Sequence, residues 1–429
     1  MVFGQCHSAV LRPLFTCLLS LLISSVALSK EEEVPLSVDG LVAQALARNP
    51  ELRYYKAEIA AAKADRKSAG KLPNPELNLD VGRKSVRGGE SKGDGLAYSV
   101  SLAQPIEWPG RIGLRKAIAD RDIALAELGL ERFESFLSAR VKVLGYALAT
   151  QQENAAIAAE VADRFTSVRQ VIVQREPGGV GPLLETKIIE ASEVGIQREA
   201  GKAAVEMQEA LLELNQLMGR RADTPLQVRR TEFQPPPREE LASLLNSAAR
   251  HNYDLLVSAA EMEKQGLKVA LAKNERYPTF TVGPSISQER AGEKETVIGL
   301  SLSVPLPIWD DGKPAVEASI ARRMQAEATM QSTMREVERQ ITGAWLLLET
   351  QRKRLDGWKP DSQKSFSDAA QLADRHYRLG AVPLSTYIEM QEKYMEAAEA
   401  INATKLEVLR ASLDLEQLVG TPATKPSKK

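Results

Sequence analysis

Two passages of this sequence are variants of one pattern: "SLAQPIEWPGRIGLRKA" at residues 101–117 and "SLSVPLPIWDDGKPAVEA" at residues 301–318. Each begins with Ser-Leu and contains a proline, a tryptophan and a glycine before a polar stretch of helical character. A spacing of 200 to 203 residues recurs elsewhere, between Asn49 and Asn252, Pro105 and Pro305, Pro182 and Pro383, and Gly219 and Gly420. The chain is therefore predicted to hold two copies of one structural unit.

The composition excludes some classes of protein. The 429 residues include 56 Lys and Arg against 57 Asp and Glu, and only 5% are aromatic. A nucleic-acid-binding protein needs a basic surface to neutralise phosphates, so this balance argues against that class. Long proline-free, alanine-containing stretches favour helices packed closely side by side.

Residues 1–29 have the pattern of a cleaved secretory signal peptide. Arg12 precedes an apolar run, Leu14–Leu28, and small residues lie at the expected cleavage site. A membrane anchor and lipidation at Cys17 are the alternatives, although the run is short for a spanning helix. Cleavage would remove Cys6 and Cys17, the only two cysteines, and leave no disulfide or cysteine metal site. No later stretch is apolar enough to predict a transmembrane helix.

We predict a first repeat over residues 30–228, a proline-rich linker over 229–240, a second repeat over 241–420 and a disordered tail over 421–429. Each repeat is expected to open with one helix, over 37–69 and 238–274. Two strands follow, then a long helix, a Gly/Pro turn and a final helix. The long helix is proline-free from residue 111 to residue 173, whereas its counterpart, 314–377, contains Pro360, which predicts a break.

The long and final helices carry apolar residues on two faces, for example Leu137 and Val141 on one face and Phe136 and Val143 on another. A helix with two apolar seams packs against a neighbour on each side, as the wall of a cylinder requires. A simple antiparallel coiled coil is the alternative interpretation.

Four runs alternate strictly between apolar and small or polar residues, at about 75–84, 95–106, 278–288 and 296–306. Side chains alternate faces along a strand, so each run predicts a strand with one apolar face. The alternatives are a half-buried strand of a soluble sandwich and a membrane strand with lipid on one side and water on the other. Four strands are too few to close a membrane barrel, whose smallest examples have about eight. A barrel would therefore require several chains.

The motifs "ARNPEL" (47–52), "LPNPEL" (72–77), "QPIEWPGR" (104–111), "VPLPIWDDG" (304–312) and "RLGAVPLSTYIEMQ" (378–391), in this order, resemble the TolC-like outer-membrane efflux protein family along nearly the whole mature chain. The resemblance implies a mainly α protein with a small membrane β part. It implies a homotrimer in a Gram-negative outer membrane, with a shared twelve-stranded β-barrel continued by a periplasmic α-barrel. It also implies a periplasmic adaptor and an inner-membrane pump, of the resistance-nodulation-division type, as partners.

This resemblance assigns roles to individual residues. Arg175, Pro182, Arg378 and Gly380 are candidates for a periplasmic tip that contacts the adaptor, and Glu185, Asp374 and Arg375 for polar links that close a gate. Trp108 and Trp309 are candidate anchors at the membrane–water boundary, with simple packing at the strand–helix junction as the alternative. The candidate lipid-facing residues are the apolar members of the strands: Leu77, Leu79, Leu96, Tyr98, Val100, Leu102, Phe280, Val282, Ile298, Leu300 and Leu302.

The sequence offers no support for catalysis. After cleavage only His251 and His376 would remain, without a spacing typical of metal ligands, and no cofactor is expected. A passive efflux duct is the main hypothesis, and a periplasmic coiled-coil scaffold and an exported hydrolase are the alternatives. Within the duct hypothesis, "LPNPEL" and "QPIEWPGR" most resemble the branch that exports cobalt, zinc, cadmium and other heavy metals. Multidrug efflux or type I protein secretion is the other option.

Overall fold

The computed structural model describes residues 35–88, 93–175, 180–229, 233–359 and 361–420, and the predicted signal peptide, Pro360 and the predicted tail lie outside them. The first half of the described chain forms α1 (Val38–Arg48), α2 (Glu51–Ala69), β1 (Glu76–Val86), β2 (Gly93–Ile106), α3 (Arg111–Arg175) and α4 (Val180–Leu217). The second half forms α5 (Leu241–His251), α6 (Tyr253–Glu275), β3 (Phe280–Ala291), β4 (Glu293–Ser303), α7 (Lys313–Asp356), α8 (Ser362–Arg378) and α9 (Leu384–Val419). The predicted fold class is confirmed: the protein is mainly helical with one antiparallel sheet.

The expectation of a single opening helix in each half is wrong, because a buried asparagine interrupts both. The Asn49 side chain donates to the carbonyl of Leu217 at 2.9 Å and accepts from the amide of Glu51 at 2.8 Å. Asn252 repeats this arrangement, donating to the carbonyl of Leu418 at 2.6 Å and accepting from the amide of Leu255 at 3.0 Å. Asn252 is therefore the N-cap of α6, and Asn49 ends α1 just before α2. Each side chain ties the start of the following helix to the last turn of the repeat's final helix.

The second hairpin is longer toward its turn than predicted. Its strands continue through polar residues, with Gln288 opposite Thr296 and Arg290 opposite Lys294. The two strands are joined at Gly292, whose φ of 108° suits a residue without a Cβ. The segment between the two predicted strands of this hairpin is thus mostly strand, because cross-strand hydrogen bonding does not require apolar side chains.

Three apolar clusters hold the helices together. One joins α1, α3 and α4 around Leu41, Leu137 and Leu214, and its counterpart in the second half joins α5, α7 and α9 around Ile341 and Val408. The third joins α3 and α4 to α8 and α9, near the end of α3 and the start of α9. The clusters thus lie along the helical part, which leaves the sheet at its opposite end outside any core.

Candidate membrane sheet, strand–helix junctions and helical tip

The four strands pair in the order β1-β2-β3-β4, and their register gathers the apolar residues of all four on one face. Leu79 lies opposite Val100, Val100 opposite Ile286, and Ile286 opposite Ile298. Directly opposed residues share a face. All eleven candidate lipid-facing residues therefore lie on this side, which we call the apolar face. It is uncovered in the chain, with Leu300 81% and Ile298 78% exposed.

Small and charged residues occupy the other side of the sheet, the polar face. Lys84 lies between Glu289 and Glu295, with its Nζ 2.8 Å from a carboxylate oxygen of each. The Ser99 hydroxyl donates to Asp80 across the β1–β2 pair at 2.8 Å. Along the described strands this face carries one lysine and five carboxylates: Glu76, Asp80, Glu289, Glu293 and Glu295. The polar face is consequently acidic.

The junction of β2 and α3 is tightly packed. Gly110, with φ of 89°, turns the chain into α3, and the buried Arg111 follows it. The Arg111 guanidinium donates to Asn274 Oδ1 at 3.0 Å, to Thr279 Oγ1 at 2.7 Å, and to the carbonyls of Asn274 at 3.0 Å and Tyr277 at 2.7 Å. Trp108 stacks on the Tyr277 ring, with centroids 4.6 Å apart. Arg111 and Trp108 thus bind the first half of the chain to the second.

The equivalent junction of β4 and α7 is open. Gly312, with φ of 71°, plays the part of Gly110, but Lys313 in place of Arg111 makes an exposed ion pair with Asp311 at 2.6 Å. Trp309 is 94% exposed. The two candidate anchors therefore differ: Trp108 packs on a protein ring, whereas Trp309 has its surface free for lipid or for another chain.

The candidate tip residues of the second half lie around the turn between α8 and α9. Arg378 pairs with Asp374 at 2.9 Å within α8, and this hydrogen bond raises the pKa of Arg378. Gly380 follows with φ of 73°. The Arg375 side chain is exposed. Asp374 and Arg378, predicted to have different roles, are thus brought together as one ion pair.

In the first half, Glu185 on α4 accepts a hydrogen bond from the Tyr377 hydroxyl at 3.4 Å, so α4 is linked to α8 near the tip. Arg175 lies at the end of α3 and Pro182 in the first turn of α4. Their side chains fall outside the described residues.

Sequence reasoning missed an aromatic cluster just behind the tip. Tyr387 stacks on Tyr377 at 5.3 Å between ring centroids and meets Phe165 edge to face at 5.5 Å. Burial raises the pKa of Tyr387. Beside the cluster, Gln391 accepts from Arg164 at 2.9 Å and donates to the carbonyl of Ala370 at 2.8 Å. The tyrosines lie on either side of a turn, so helical periodicity did not reveal that they meet.

Two further properties concern the described residues as a whole. None of the helices there combines the length and the apolar character that crossing a bilayer requires. The described side chains also include no group of three or more His, Cys, Asp or Glu arranged to hold a metal ion.

Comparison with known proteins gives consistent findings. The family model described as "Outer membrane efflux protein" matches residues 41–220 and 244–421. The pyoverdine export outer membrane protein OpmQ of Pseudomonas aeruginosa is 24% identical over an alignment of 414 residues, and the match covers 89% of this chain and 85% of OpmQ. The outer-membrane channel OprN superposes with a TM-score of 0.71 at 18% identity, covering 89% of each chain. The CmeC outer membrane channel of Campylobacter jejuni superposes with a TM-score of 0.69 at 17% identity, covering 96% of this chain and 94% of CmeC.

Proposed function

The chain belongs to the outer membrane efflux protein family, and from this premise we propose that it is the outer-membrane duct of a tripartite efflux system. In this proposal an inner-membrane pump of the resistance-nodulation-division type passes substrate, through a periplasmic adaptor, to a channel that conducts it passively. The observation that carries the proposal is the two-faced sheet at one end of a 65-residue helix, α3. At about 1.5 Å per residue this helix is about 98 Å long, which suits a periplasmic conduit.

The sheet supports a closed assembly of several copies. Its edges, β1 and β4, expose backbone donors and acceptors that lipid cannot satisfy. Because the strands alternate in direction, β4 of one copy is able to pair antiparallel with β1 of the next. Three copies would close twelve strands, with the apolar face toward lipid and the acidic polar face toward the lumen.

The helices support the same arrangement, because the internal duplication gives a template for the contact between copies. Helix α6 packs against both α3 and α7, whereas α2 packs against α3 and exposes its opposite side, including Tyr54 at 67%. Helix α7 in turn exposes Ile320, Met324 and Met334, at 40%, 64% and 52%. We propose that α7 of one copy covers α2 of the next, as α3 covers α6 within one chain.

The template also specifies the register of this contact. Within the chain, Lys264 of α6 pairs with Asp122 of α3 at 2.8 Å. Gly110 and Gly312 relate α3 to α7 by 202 residues, and Asn49 and Asn252 relate α2 to α6 by 203. Applying these offsets, the contact equivalent to Asp122–Lys264 is Met324 of one copy against Ala61 of the neighbouring copy. A large exposed thioether meeting a small side chain is a well-matched pair.

A crosslinking experiment tests the trimer and its register together. In a chain with Cys6→Ser and Cys17→Ser, the pair Ala61→Cys and Met324→Cys should give a covalent trimer with a short thiol crosslinker. The control pair, Ala61→Cys and Gln331→Cys, is displaced by two helical turns, about 10 Å, and should remain monomeric on denaturing gels. Crosslinking of both pairs, or of neither in membranes that contain the protein, would contradict the register.

At the tip, we propose that Arg378 and Gly380, together with Arg175 and Pro182, contact the adaptor, and that Glu185, Asp374 and Arg375 contribute to gate closure. The exposed charges beside the α8–α9 turn support this role. Arg378→Glu should weaken site-specific crosslinking to the adaptor. Because the substitution also places a carboxylate beside Asp374, Asp374→Asn is the matched control for loss of the ion pair alone. Unchanged crosslinking and export in Arg378→Glu would reject the contact.

For the cargo we propose heavy-metal cations. The acidic polar face supports this choice, because five carboxylates against one lysine per chain would attract cations into the lumen and repel anions. A small organic molecule is the second candidate, since the relative OpmQ is named for pyoverdine export. Growth of a deletion strain on a panel of metal salts, dyes, detergents and antibiotics separates the two. Sensitivity restricted to zinc, cadmium, cobalt, nickel, copper or silver supports metals, and normal metal tolerance rejects them.

A further inference from the structure

The apolar face ends, toward the hairpin turns, in a row of cations. Reading across the sheet, Arg83 lies opposite Leu96, and Arg290 lies opposite Lys294. Between them the β2–β3 pairing ends at Ala97 opposite Glu289, the residues next to Leu96 and Arg290. Three of the four strands thus contribute a basic side chain at one level, which we call the basic row. All three side chains are exposed.

Charge is segregated between the two faces of the sheet. Among the described strand residues, the apolar face carries the basic row and a single carboxylate, Asp94, which pairs with Arg83 at 2.7 Å. The remaining strand carboxylates lie on the polar face, where Glu289 and Glu295 hold Lys84. The basic row therefore has a net positive charge on the side of the sheet that is otherwise apolar.

In the row next to it, toward the helices, Val81 lies opposite Tyr98, and the other three residues are polar and hydrogen-bonded. The Tyr98 hydroxyl donates to Gln288, whose amide donates to Thr296 at 3.2 Å. Below this level the face is apolar, from Val100 and Ile298 down to Ile106 and Phe280, except for Gln104, whose amide donates to the carbonyl of Pro73 at 3.0 Å. From the helices toward the turns, the face therefore changes from apolar rows to a row with a tyrosine and then to cations. This order matches the layers of a bilayer, from hydrocarbon through the interface to the headgroups.

The height of the face agrees with this order. Leu96 and Ile106 are ten residues apart on β2, about 33 Å along the strand at about 3.3 Å per residue. At a tilt of about 45° this spans about 23 Å of membrane depth, close to the apolar band of membrane barrels, about 25 Å. The basic row then lies at the level of the headgroups on the side away from the helices.

We propose that Arg83, Arg290 and Lys294 form a binding site for the phosphate groups of lipid headgroups in the outer leaflet. Guanidinium groups bind phosphate through paired hydrogen bonds, and Lys294 adds a point charge. Asp94 holds Arg83 in place against the sheet and offsets one of the three charges. The inference rests on the proposed function in one respect, namely that the apolar face points to lipid.

The experiment compares lipid binding by the purified full chain in detergent. The probes are bis-phosphorylated lipid A, lipid A without its phosphates, and inorganic phosphate, with bound lipid counted by native mass spectrometry. The wild type should prefer the phosphorylated lipid. In the triple variant Arg83→Gln, Arg290→Gln, Lys294→Gln, the ratio of phosphorylated to unphosphorylated lipid bound should fall about fivefold for each cation removed. The factor corresponds to about 1 kcal/mol for each basic residue near an anionic lipid surface. A matched variant, Arg322→Gln, Arg335→Gln, Lys353→Gln, removes the same charge from exposed positions on α7 and should bind as the wild type does.

The charge-preserving pair Arg290→Lys, Lys294→Arg should keep the preference, which separates a charge effect from misfolding. Equal binding of the two lipids by the wild type, or equal losses in both triple variants, would overturn the proposal. Competition by inorganic phosphate at millimolar concentration would also overturn it, because the site would then be one for free anions. A separate measurement tests whether the apolar face points to lipid at all. If it does not, brominated lipid will fail to quench a fluorophore attached at position 300.

Discussion

The Arg111 contact predicts a large and local destabilisation when the guanidinium is removed. Arg111 is 7% exposed and donates four hydrogen bonds of 2.7 to 3.0 Å to uncharged acceptors around the start of β3. Arg111→Met keeps most of the side-chain volume but leaves the carbonyls of Asn274 and Tyr277 without this donor. A lost hydrogen bond to a charged group costs about 1.5–3 kcal/mol, and such losses are not additive. We therefore expect about 3–5 kcal/mol for Arg111→Met and about half of that for Arg111→Lys.

Hydrogen exchange followed by mass spectrometry measures this effect where it occurs. Since 1.4 kcal/mol corresponds to a factor of ten, amides of residues 274–282 should exchange at least about a hundredfold faster in Arg111→Met, while α4 and α9 change little. The control is Arg322→Met, at an exposed position on α7, where a change within about 0.5 kcal/mol is expected. Equal protection of residues 274–282 in the two variants would refute the view that Arg111 holds the halves together.

Three further predictions concern other parts of the molecule. Asn252→Ala should lower the free energy of unfolding by about 2–3 kcal/mol, because it removes a helix cap and the donor to the Leu418 carbonyl. Denaturant titration in detergent measures this loss. A loss below 0.5 kcal/mol, roughly the effect of an ordinary surface substitution, would argue against a capping role. Tyr387→Phe should leave the free energy of unfolding unchanged or raise it by up to about 1 kcal/mol in the same titration, because the buried hydroxyl has no hydrogen-bond partner among the described residues. A clear loss of stability would mean that the hydroxyl is paired. A fluorophore at Leu300→Cys should be quenched by brominated lipid more strongly than one at Ser301→Cys, the next residue on the opposite face, and equal quenching would contradict the assigned faces.

The match to the outer membrane efflux family bears out the family resemblance read from the motifs, and with it the outer-membrane location. The heavy-metal branch was read from two short motifs, and the relatives found do not single it out. OpmQ is named for pyoverdine export. Cargo specificity is therefore the part of the function for which sequence similarity carries the least information.

Local patterns in the sequence determined the elements and their faces. Alternation with a period of two is a property of consecutive residues, so the apolar members of each strand were identifiable before any strand was paired. The proline-free run that became α3 and the recurring spacing of about 200 residues likewise needed no partner to be recognised. Asn49 and Asn252 were visible as a repeat, but not as the breaks between helices, because their partners are carbonyls 168 and 166 residues away.

The tertiary structure decided the features that depend on contacts between the first and the second repeat. Trp108 and Trp309 occupy equivalent places in the sequence, yet one stacks on Tyr277 and the other is 94% exposed. The difference arises because the second half of the chain covers the junction of the first half, whereas no described residue covers Trp309 in the same way. The basic row, similarly, exists only through the β2–β3 pairing, whose last pair, Ala97 with Glu289, brings the neighbouring residues Leu96 and Arg290 together from opposite halves. Neither strand alone reveals this.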